Sequence, residues 1–167
     1  QSFANPNVLL GEAIKQKNLL SQDLSKEKRL DVYGKIFDIL DKIESNHPES
    51  DQAIKLITNQ NFGNFDYKLL RKNYVKELTS YYNVICETSP SYLCIGFVAL
   101  ESGQNQCKIA KNSDDLNEAH RKLKNSISVF ISQKAEEKFV NLALNVYKGC
   151  VSQSQVKKTV FAQDFYK

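Results

Sequence analysis

The sequence predicts an all-α protein of six to eight helices, stacked as antiparallel hairpins in a bundle or short solenoid and stapled by two disulfides. Three observations predict this class. Apolar residues recur at spacings of three and four over most of the chain. Glycine and proline are scarce, at six and three residues, so few positions interrupt a helix. No segment shows the alternation of apolar and polar residues that indicates a β-strand.

The N-terminal part of the chain predicts three helices. Asn5 followed by Pro6 is typical of an N-cap and a first helical residue, so a helix is expected over Pro6–Leu20. A second helix, from Ser25 to about Asn46, has one apolar face and an opposite face of lysine and acidic residues. Pro48 is expected to end this helix, because the residue before a proline is pushed out of the helical region, and to open a short third helix.

The segment YGKIFDILDKIESNHPESDQAIKL, Tyr33–Leu56, resembles the tetratricopeptide-type helical hairpin. In that family a helix face of aromatic and small residues is followed by a proline, and an alanine then opens the next helix. Here Pro48 marks the break and Ala53 lies in the next helix. The face itself consists of Tyr33, Phe37 and Leu40. The tryptophan and the Gly-Tyr pair of the repeat's first helix are missing, and the period of the repeat does not return. The resemblance implies a protein-binding scaffold without catalytic activity.

A turn-rich segment, NQNFGNFD, interrupts the helical pattern around Gly63. Asp66 is expected to cap the long helix that follows, which carries an apolar stripe ending at Cys86. Ser89 and the proline after it are interpreted as the cap and the first residue of the next helix, Pro90–Ser102.

Gly103 is expected to end that helix as its C′ residue, with a short separate segment around Gln104–Lys111. Two further helices are predicted. The first begins at Asp114 and Asp115, whose negative charges suit the positive end of a helix dipole, and the second extends over Ala135–Val151.

The length favours one domain over residues 1–167, since a chain of this size can bury a single core. Two helical subdomains, 1–62 and 63–151, are possible on either side of the glycine turn. Residues 152–167 are interpreted as a weakly amphipathic C-terminal tail, which either docks on the helices or presents itself to a partner.

The four cysteines, spaced Cys86-x7-Cys94-x12-Cys107-x42-Cys150, are expected to form two disulfides. Cys86 lies in the last turn of one predicted helix and Cys94 in the first turns of the next, so an antiparallel hairpin brings them together. Cys150 lies on an apolar stripe and can reach the segment around Cys107. The favoured pairs are Cys86–Cys94 and Cys107–Cys150. A Cys94–Cys107 bridge and four free thiols in a cytosolic protein are the alternatives.

The same spacings disfavour a metal or redox centre. A zinc site usually shows two closely spaced ligand pairs, and thioredoxin-like exchange needs Cys-x-x-Cys; the chain has neither. His47, in the proline turn, and His120, on the polar side of its helix, are expected to face solvent. No phosphate-binding, dinucleotide-binding or serine-nucleophile motif occurs, so no catalytic residue, metal or cofactor is predicted.

Disulfides predict an oxidising compartment, the periplasm or the extracellular space. The chain begins at Gln1 and contains no methionine, which favours a mature product whose signal peptide has been removed. The absence of an N-glycosylation sequon favours a bacterial origin. No apolar run is long enough to cross a membrane. The net charge of +4 is carried mostly by lysine, so specific nucleic-acid binding is not expected.

Aromatic residues are the candidate partner-binding positions, because tyrosine offers one apolar and one polar end and is favoured at interfaces. Several lie around the cysteine hairpin and others on the glycine turn. The candidates are Phe62, Phe65, Tyr67, Tyr74, Tyr81, Tyr82 and Tyr92. The alternative is that most of them pack in the core with the hydroxyl at its rim.

The predicted function is non-catalytic protein binding, as a scaffold, adaptor or assembly factor whose partner is another protein. The alternative is a secreted inhibitor or host-directed effector. The segment ICETSPSYLC is similar to the first cysteine pair of the plant pectin methylesterase and invertase inhibitors. Those chains place it near the N-terminus, whereas here 85 residues precede Cys86, so inhibition is kept as a class of function and not as membership of that family. A helical small-ligand carrier or enzyme is the third possibility.

Overall fold

A computed structural model describes the backbone of residues 4–165 and the side chains of residues 4–154. Seven α-helices occupy this part of the chain: α1 (Pro6–Leu19), α2 (Lys26–Asn46), α3 (Asp51–Ile57), α4 (Tyr67–Thr88), α5 (Tyr92–Ile109), α6 (Ser113–Ser132) and α7 (Glu137–Phe165). Among these residues there is no β-strand, and one isolated bridge joins Phe62 to Phe65. The predicted all-α class and both favoured disulfides, Cys86–Cys94 and Cys107–Cys150, are confirmed.

Six of the helices begin at a side-chain cap. An oxygen atom of the capping residue accepts a hydrogen bond from a backbone N–H of the first turn, which would otherwise lack a partner. The caps are Asn5, Ser25, Ser50, the predicted Asp66, Ser91 and Asn112. Two predicted helix starts were wrong because a serine cap sets the first helical residue and the nearby proline does not. Helix α3 begins after Ser50 rather than at Pro48, and α5 begins after Ser91 rather than at Pro90.

Residues 1–77 form the first of two compact units. Helices α1 and α3 both pack against α2, whose apolar face is buried from Val32 to Ile43. The ring of Tyr74, from the first half of α4, stacks on Tyr33 with centroids 5.2 Å apart and on Phe37 at 5.8 Å. The stripe predicted for the second helix is therefore the centre of this unit's core.

A charged cluster at Glu77 also belongs to this first unit. Arg29 donates two hydrogen bonds to the carboxylate, from Nε at 2.7 Å and from Nη2 at 3.2 Å. The buried hydroxyl of Tyr33 donates a third, at 2.5 Å. Burial raises the pKa of Glu77, but the hydrogen bonds from Arg29 and Tyr33 outweigh it and hold the pKa below its ordinary value. The cluster joins α2 to α4 with its charges paired.

Residues 78–167 form the second compact unit, and the boundary between the units falls within α4. Helices α5, α6 and α7 pack pairwise against one another. The fully buried ring of Phe97 lies at the centre, with ring centroids 4.2 Å from Tyr82, 4.9 Å from Phe130 and 5.2 Å from Phe139. The number of independent domains stays a prediction.

Glycine has a different role in α5 from the one its sequence position indicates. Gly103 lies inside the helix, which continues to Ile109, so the predicted end at Ser102 and the separate segment Gln104–Lys111 were wrong. A Cβ atom at Gly103 would lie 2.7 Å from two side-chain atoms of Leu123. The absence of a side chain at Gly103 therefore permits close packing of α5 on α6. The interpretation of this glycine as the C′ residue of a helix took no account of such packing.

The last helix is longer than predicted. Helix α7 continues to Phe165, so the backbone of the proposed tail, residues 152–167, is helical as far as it is described. The prediction that this tail either docks or is presented to a partner concerns side chains outside the described residues.

Candidate partner-binding surface

The corner between α4 and α5 is held by a covalent bond. Helix α4 ends at Thr88, three exposed residues form the turn, and α5 starts at Tyr92. The Ser91 hydroxyl accepts a hydrogen bond from the backbone N–H of Leu93 at 3.2 Å. The Cα atoms of Cys86 and Cys94 are 6.3 Å apart across this corner, and both cysteines are half-buried. The disulfide fixes the two helices next to each other at this end.

Large apolar side chains are exposed around this disulfide. Within four residues of one of the two cysteines lie Val84, Ile85, Tyr92, Ile95 and Val98, each at least 37% exposed. Tyr92 reaches 69%. Single exposed apolar residues are normal on protein surfaces, but a group of them on a fixed element is typical of an interaction site.

One face of α5 carries a regular pattern, which we call the α5 seam. Its residues are spaced three and four apart: Ile95, Val98, Ser102, Asn105 and Ile109. Ser102 is half-buried and the others are exposed, with Ile95 at 50%, Val98 at 51% and Ile109 at 69%. This alternation of three and four is the spacing by which two helices pack side by side. The opposite face of α5, which carries Phe97, Leu100 and Cys107, is buried.

A groove runs beside the α5 seam, between α5 and the second half of α4. Its volume is about 320 Å³, and it is lined by Thr79, Asn83, Val98, Glu101, Ser102 and Asn105. The Thr79 hydroxyl donates to the carbonyl of Phe97 at 3.3 Å, which fixes α4 against α5 at the base. At one edge, Lys122 of α6 donates to the Ser102 hydroxyl at 3.0 Å. The groove is therefore lined by hydroxyl, amide and carboxylate groups, with Val98 as its apolar side chain.

The charge distribution sets this surface apart. Residues 78–107, which we call the charge-poor segment, contain two charged side chains, Glu87 and Glu101, and no lysine or arginine. Residues 108–167 contain eleven basic and six acidic residues, a net charge of +5. A solvated helical pair normally carries many charges, so their absence indicates a surface with another use. Sequence reasoning missed this signal, although a count of lysines along the chain shows it.

The structure separates the predicted partner-binding residues by their burial. Phe65, Tyr67 and Tyr74 are buried, Phe62, Tyr81 and Tyr82 are half-buried, and Tyr92 is exposed. Burial raises the pKa of Tyr67 to about 12, and its hydroxyl donates to the carbonyl of Lys55 at 3.4 Å. Phe62 packs on Tyr67 with ring centroids 5.7 Å apart. The aromatic turn thus folds onto its own unit, and Tyr92 is the candidate that a partner reaches most easily.

The second disulfide lies in the core of the second unit. Cys107 and Cys150 are both buried, with Cα atoms 5.9 Å apart, and they join α5 to α7. Near this bond the Nε2 atom of His120 is 2.9 Å from the hydroxyl of Ser154, which donates to the carbonyl of Cys150 at 2.7 Å. The hydroxyl proton is thus committed to a carbonyl, so the serine accepts from His120. This geometry ties α6 to α7.

The expectation that both histidines face solvent was wrong. His120 is half-buried because α7 packs over its side of α6. His47 is half-buried as well, and its Nε2 atom lies 2.6 Å from the carbonyl oxygen of Ala4. In both cases a neighbouring segment covers a side chain that was expected to face solvent.

Two kinds of feature are absent from the described part of the chain. No three His, Cys, Asp or Glu side chains among these residues are grouped so that they could hold a metal ion. No helix there is both long enough and apolar enough to cross a lipid bilayer.

Comparisons with protein-family models, curated proteins and solved structures return no match for this chain. The resemblance of Tyr33–Leu56 to tetratricopeptide hairpins therefore stays a prediction. The surface beside Cys86–Cys94 is the feature on which a function can be argued.

Proposed function

We propose that this protein binds another protein through the α5 seam and the adjoining groove, and that it does so without catalysing a reaction. The observation that carries the proposal is the exposure of Ile95, Val98 and Ile109 at helix-packing spacing. An exposed apolar stripe costs free energy in water, and burying it against a partner recovers that free energy. The disulfide supports the same role, because it orders this surface before a partner arrives.

The proposed location is the periplasm or the extracellular space. All four cysteines are paired. Disulfides form and persist in oxidising compartments and are rare in the cytosol. This supports export, and with it a role as a scaffold, adaptor or assembly factor outside the cytosol. The tetratricopeptide-like segment, Tyr33–Leu56, supports the same class, since such hairpins serve as protein-binding scaffolds.

Site-specific photocrosslinking tests the proposed function. A benzoylphenylalanine replaces Ile95 or Ile109, and the matched control replaces Asn117, an exposed residue of α6. The labelled protein is irradiated with the secreted or periplasmic fraction of its source cells. We expect adducts of defined mass from both seam positions and none from position 117.

Equal adduct patterns at all three positions, or none at the seam positions, would count against this surface. Unlabelled protein should compete the seam adducts away. The same unlabelled protein carrying Val98→Asp should fail to compete while keeping the circular dichroism of the parent.

A further inference from the structure

We propose that Cys86–Cys94 is a thiol–disulfide exchange site with a fixed direction of attack: the thiolate of a dithiol oxidoreductase bonds to the sulfur of Cys86, and Cys94 leaves as the thiolate. The inference concerns this bond alone and does not rest on the proposed binding function. It is carried by three features of the corner: the exposure of the bond, the opposite helix ends at which its cysteines lie, and the acidic side chains on the α4 side.

The corner bond is the more accessible of the two disulfides. Cys86 and Cys94 are half-buried, and the turn between their helices is exposed from Ser89 onward. Cys107 and Cys150, in contrast, keep only 3% and 4% of their surface in contact with solvent. Exposed disulfides are the labile, regulatory or catalytic ones, because exchange requires a thiolate to reach a sulfur atom. An incoming thiolate can therefore attack Cys86–Cys94 while the fold stays closed.

The two sulfur atoms belong to opposite ends of two helices. Cys86 lies in the last turn of α4, which ends at Thr88. Cys94 is the third residue of α5, and its backbone N–H donates to the carbonyl of Ser91 at 3.0 Å. The N-terminal end of a helix stabilises a negative charge and the C-terminal end destabilises it, so a thiolate is more stable at Cys94 than at Cys86. Since the more stable thiolate leaves faster in exchange, attack at the sulfur of Cys86 is favoured.

Acidic side chains on the α4 side act in the same direction. Glu87 directly follows Cys86 and is exposed. Burial, and then the nearby carboxylate of Glu136, raise the pKa of Tyr82, which lies one turn before Cys86. Both carboxylates therefore oppose a thiolate at Cys86. Glu136 is paired with Lys138 at 3.3 Å, which weakens its effect, so Glu87 is the acidic residue to vary.

The exchange takes two steps, in which atoms and electrons balance. First the bond between Cys86 and Cys94 breaks, a bond forms between Cys86 and the oxidoreductase, and Cys94 leaves with the electron pair. The second thiolate of the oxidoreductase then attacks its own sulfur in the mixed disulfide, and Cys86 leaves. The oxidoreductase loses two electrons and two protons, and the two cysteines gain them. The short turn keeps the cysteines near each other, so the reverse steps can re-form the bond.

A trapping experiment on the full, folded protein tests the direction of attack. The probe is a thioredoxin-class oxidoreductase whose second active-site cysteine is replaced by serine, so the reaction stops at the mixed disulfide. Acid stops the reaction at early times, and N-ethylmaleimide then blocks the freed thiol. Proteolysis after residue 87 places Cys86 and Cys94 in different peptides, and mass spectrometry identifies the one that carries the probe. We expect the probe on Cys86 at least about three-fold more often than on Cys94.

Charge variants at the two helix ends test the cause of this preference. Glu87→Lys stabilises a thiolate at Cys86, and Tyr92→Glu places a negative charge in the first turn of α5, where it opposes a thiolate at Cys94. We expect each variant to lower the ratio of the two trapped species by about two-fold, and the double variant to lower it further. Glu49→Lys makes the same charge change in the exposed turn before α3, and this matched control should leave the ratio unchanged.

Several results would overturn the inference. Equal trapping at the two corner cysteines, or a preference for Cys94, contradicts the direction of attack. Probe attached to Cys107 or Cys150 at the same early times contradicts the assignment of exchange to the corner. A trapping rate that does not rise with the probe concentration would show that the bond reacts only after unfolding. A ratio that neither charge variant changes would remove the helix ends as the cause.

Discussion

Glu77 carries three hydrogen bonds from two side chains of α2, and this single carboxylate shows how the protein handles a charge away from water. Arg29 approaches it with two nitrogens and also donates from Nη1 to the carbonyl of Leu20 at 2.9 Å. Tyr33 supplies the third donor from the buried side. Burial and the hydrogen bond to the carboxylate raise the pKa of Tyr33 above its usual range, so the phenol keeps its proton.

The stability of this cluster should depend on acid pH with a definite sign. The pKa of Glu77 is lower in the folded protein than in the unfolded chain, where it is about 4.3, so the carboxylate contributes stability above that value and loses it as the pH falls. Urea unfolding of wild type and Glu77→Gln should therefore differ most above roughly pH 5 and converge toward pH 3. Tyr33→Phe, which keeps the carboxylate and removes one donor, should show a smaller version of the same trend. A stability difference that is constant over this range contradicts the expectation.

At the scale of elements, small residues decide how closely the helices of the second unit approach. A Cβ atom at Gly96 would lie 2.6 Å from Cε1 of Phe130, a ring that is fully buried. Ser126 adds a direct link, since its buried hydroxyl donates to the carbonyl of Gly96 at 2.8 Å. Helix α6 thus rests on α5 at a site without a side chain.

Gly96→Ala should destabilise the protein by about 1–3 kcal/mol, because the added methyl group overlaps a ring fixed in a packed core. The matched control is Gly11→Ala in α1, where a Cβ atom would meet nothing within 4 Å. There the higher helix propensity of alanine should stabilise by about 0.5–1 kcal/mol. Thermal or urea unfolding of the two variants distinguishes these signs, and a stabilised Gly96→Ala would show that the ring can move.

The elements also show how far sequence reasoning reaches. Helix class and the Cys86–Cys94 and Cys107–Cys150 pairs were predictable, because periodicity and position along a helix determine which side chains can meet. The interpretation of Gly103 as a helix end failed because its cause, Leu123 on α6, is a packing partner distant in sequence. The α5 seam was missed because two of its five positions, Ser102 and Asn105, are polar and interrupt the apolar pattern in the sequence. The exposure of the seam residues is visible only in the structure.

For the whole molecule, the distribution of disulfides and charge matters most. Both bridges lie in residues 78–167, and so does the contrast between the charge-poor segment and the basic residues after it. One bridge is half-exposed and closes a short loop, while the other is buried and spans 43 residues in sequence. These two bonds therefore differ both in how easily a reductant reaches them and in how strongly they restrict the unfolded chain.

Mild reduction of the native protein should open Cys86–Cys94 before Cys107–Cys150, because attack requires access to the sulfur atoms. Alkylation followed by peptide mass spectrometry reports the order. Removing the bonds by paired serine substitutions should cost about 2.5 kcal/mol for Cys86–Cys94 and about 4 kcal/mol for Cys107–Cys150, since the longer loop gains more entropy when released. Reduction of both bonds at the same rate would show that the core opens as readily as the corner.

The corner bond also changes what a cut in the backbone can do. Ser89, Pro90 and Ser91 are exposed and lie inside the loop that Cys86 and Cys94 close. A protease that hydrolyses one of these peptide bonds leaves two pieces still tied together through sulfur. The nick would be invisible on a non-reducing gel and would appear as two bands only after reductant is added. The Cys86–Cys94 bond therefore keeps the protein in one piece even when the backbone is cut at this turn.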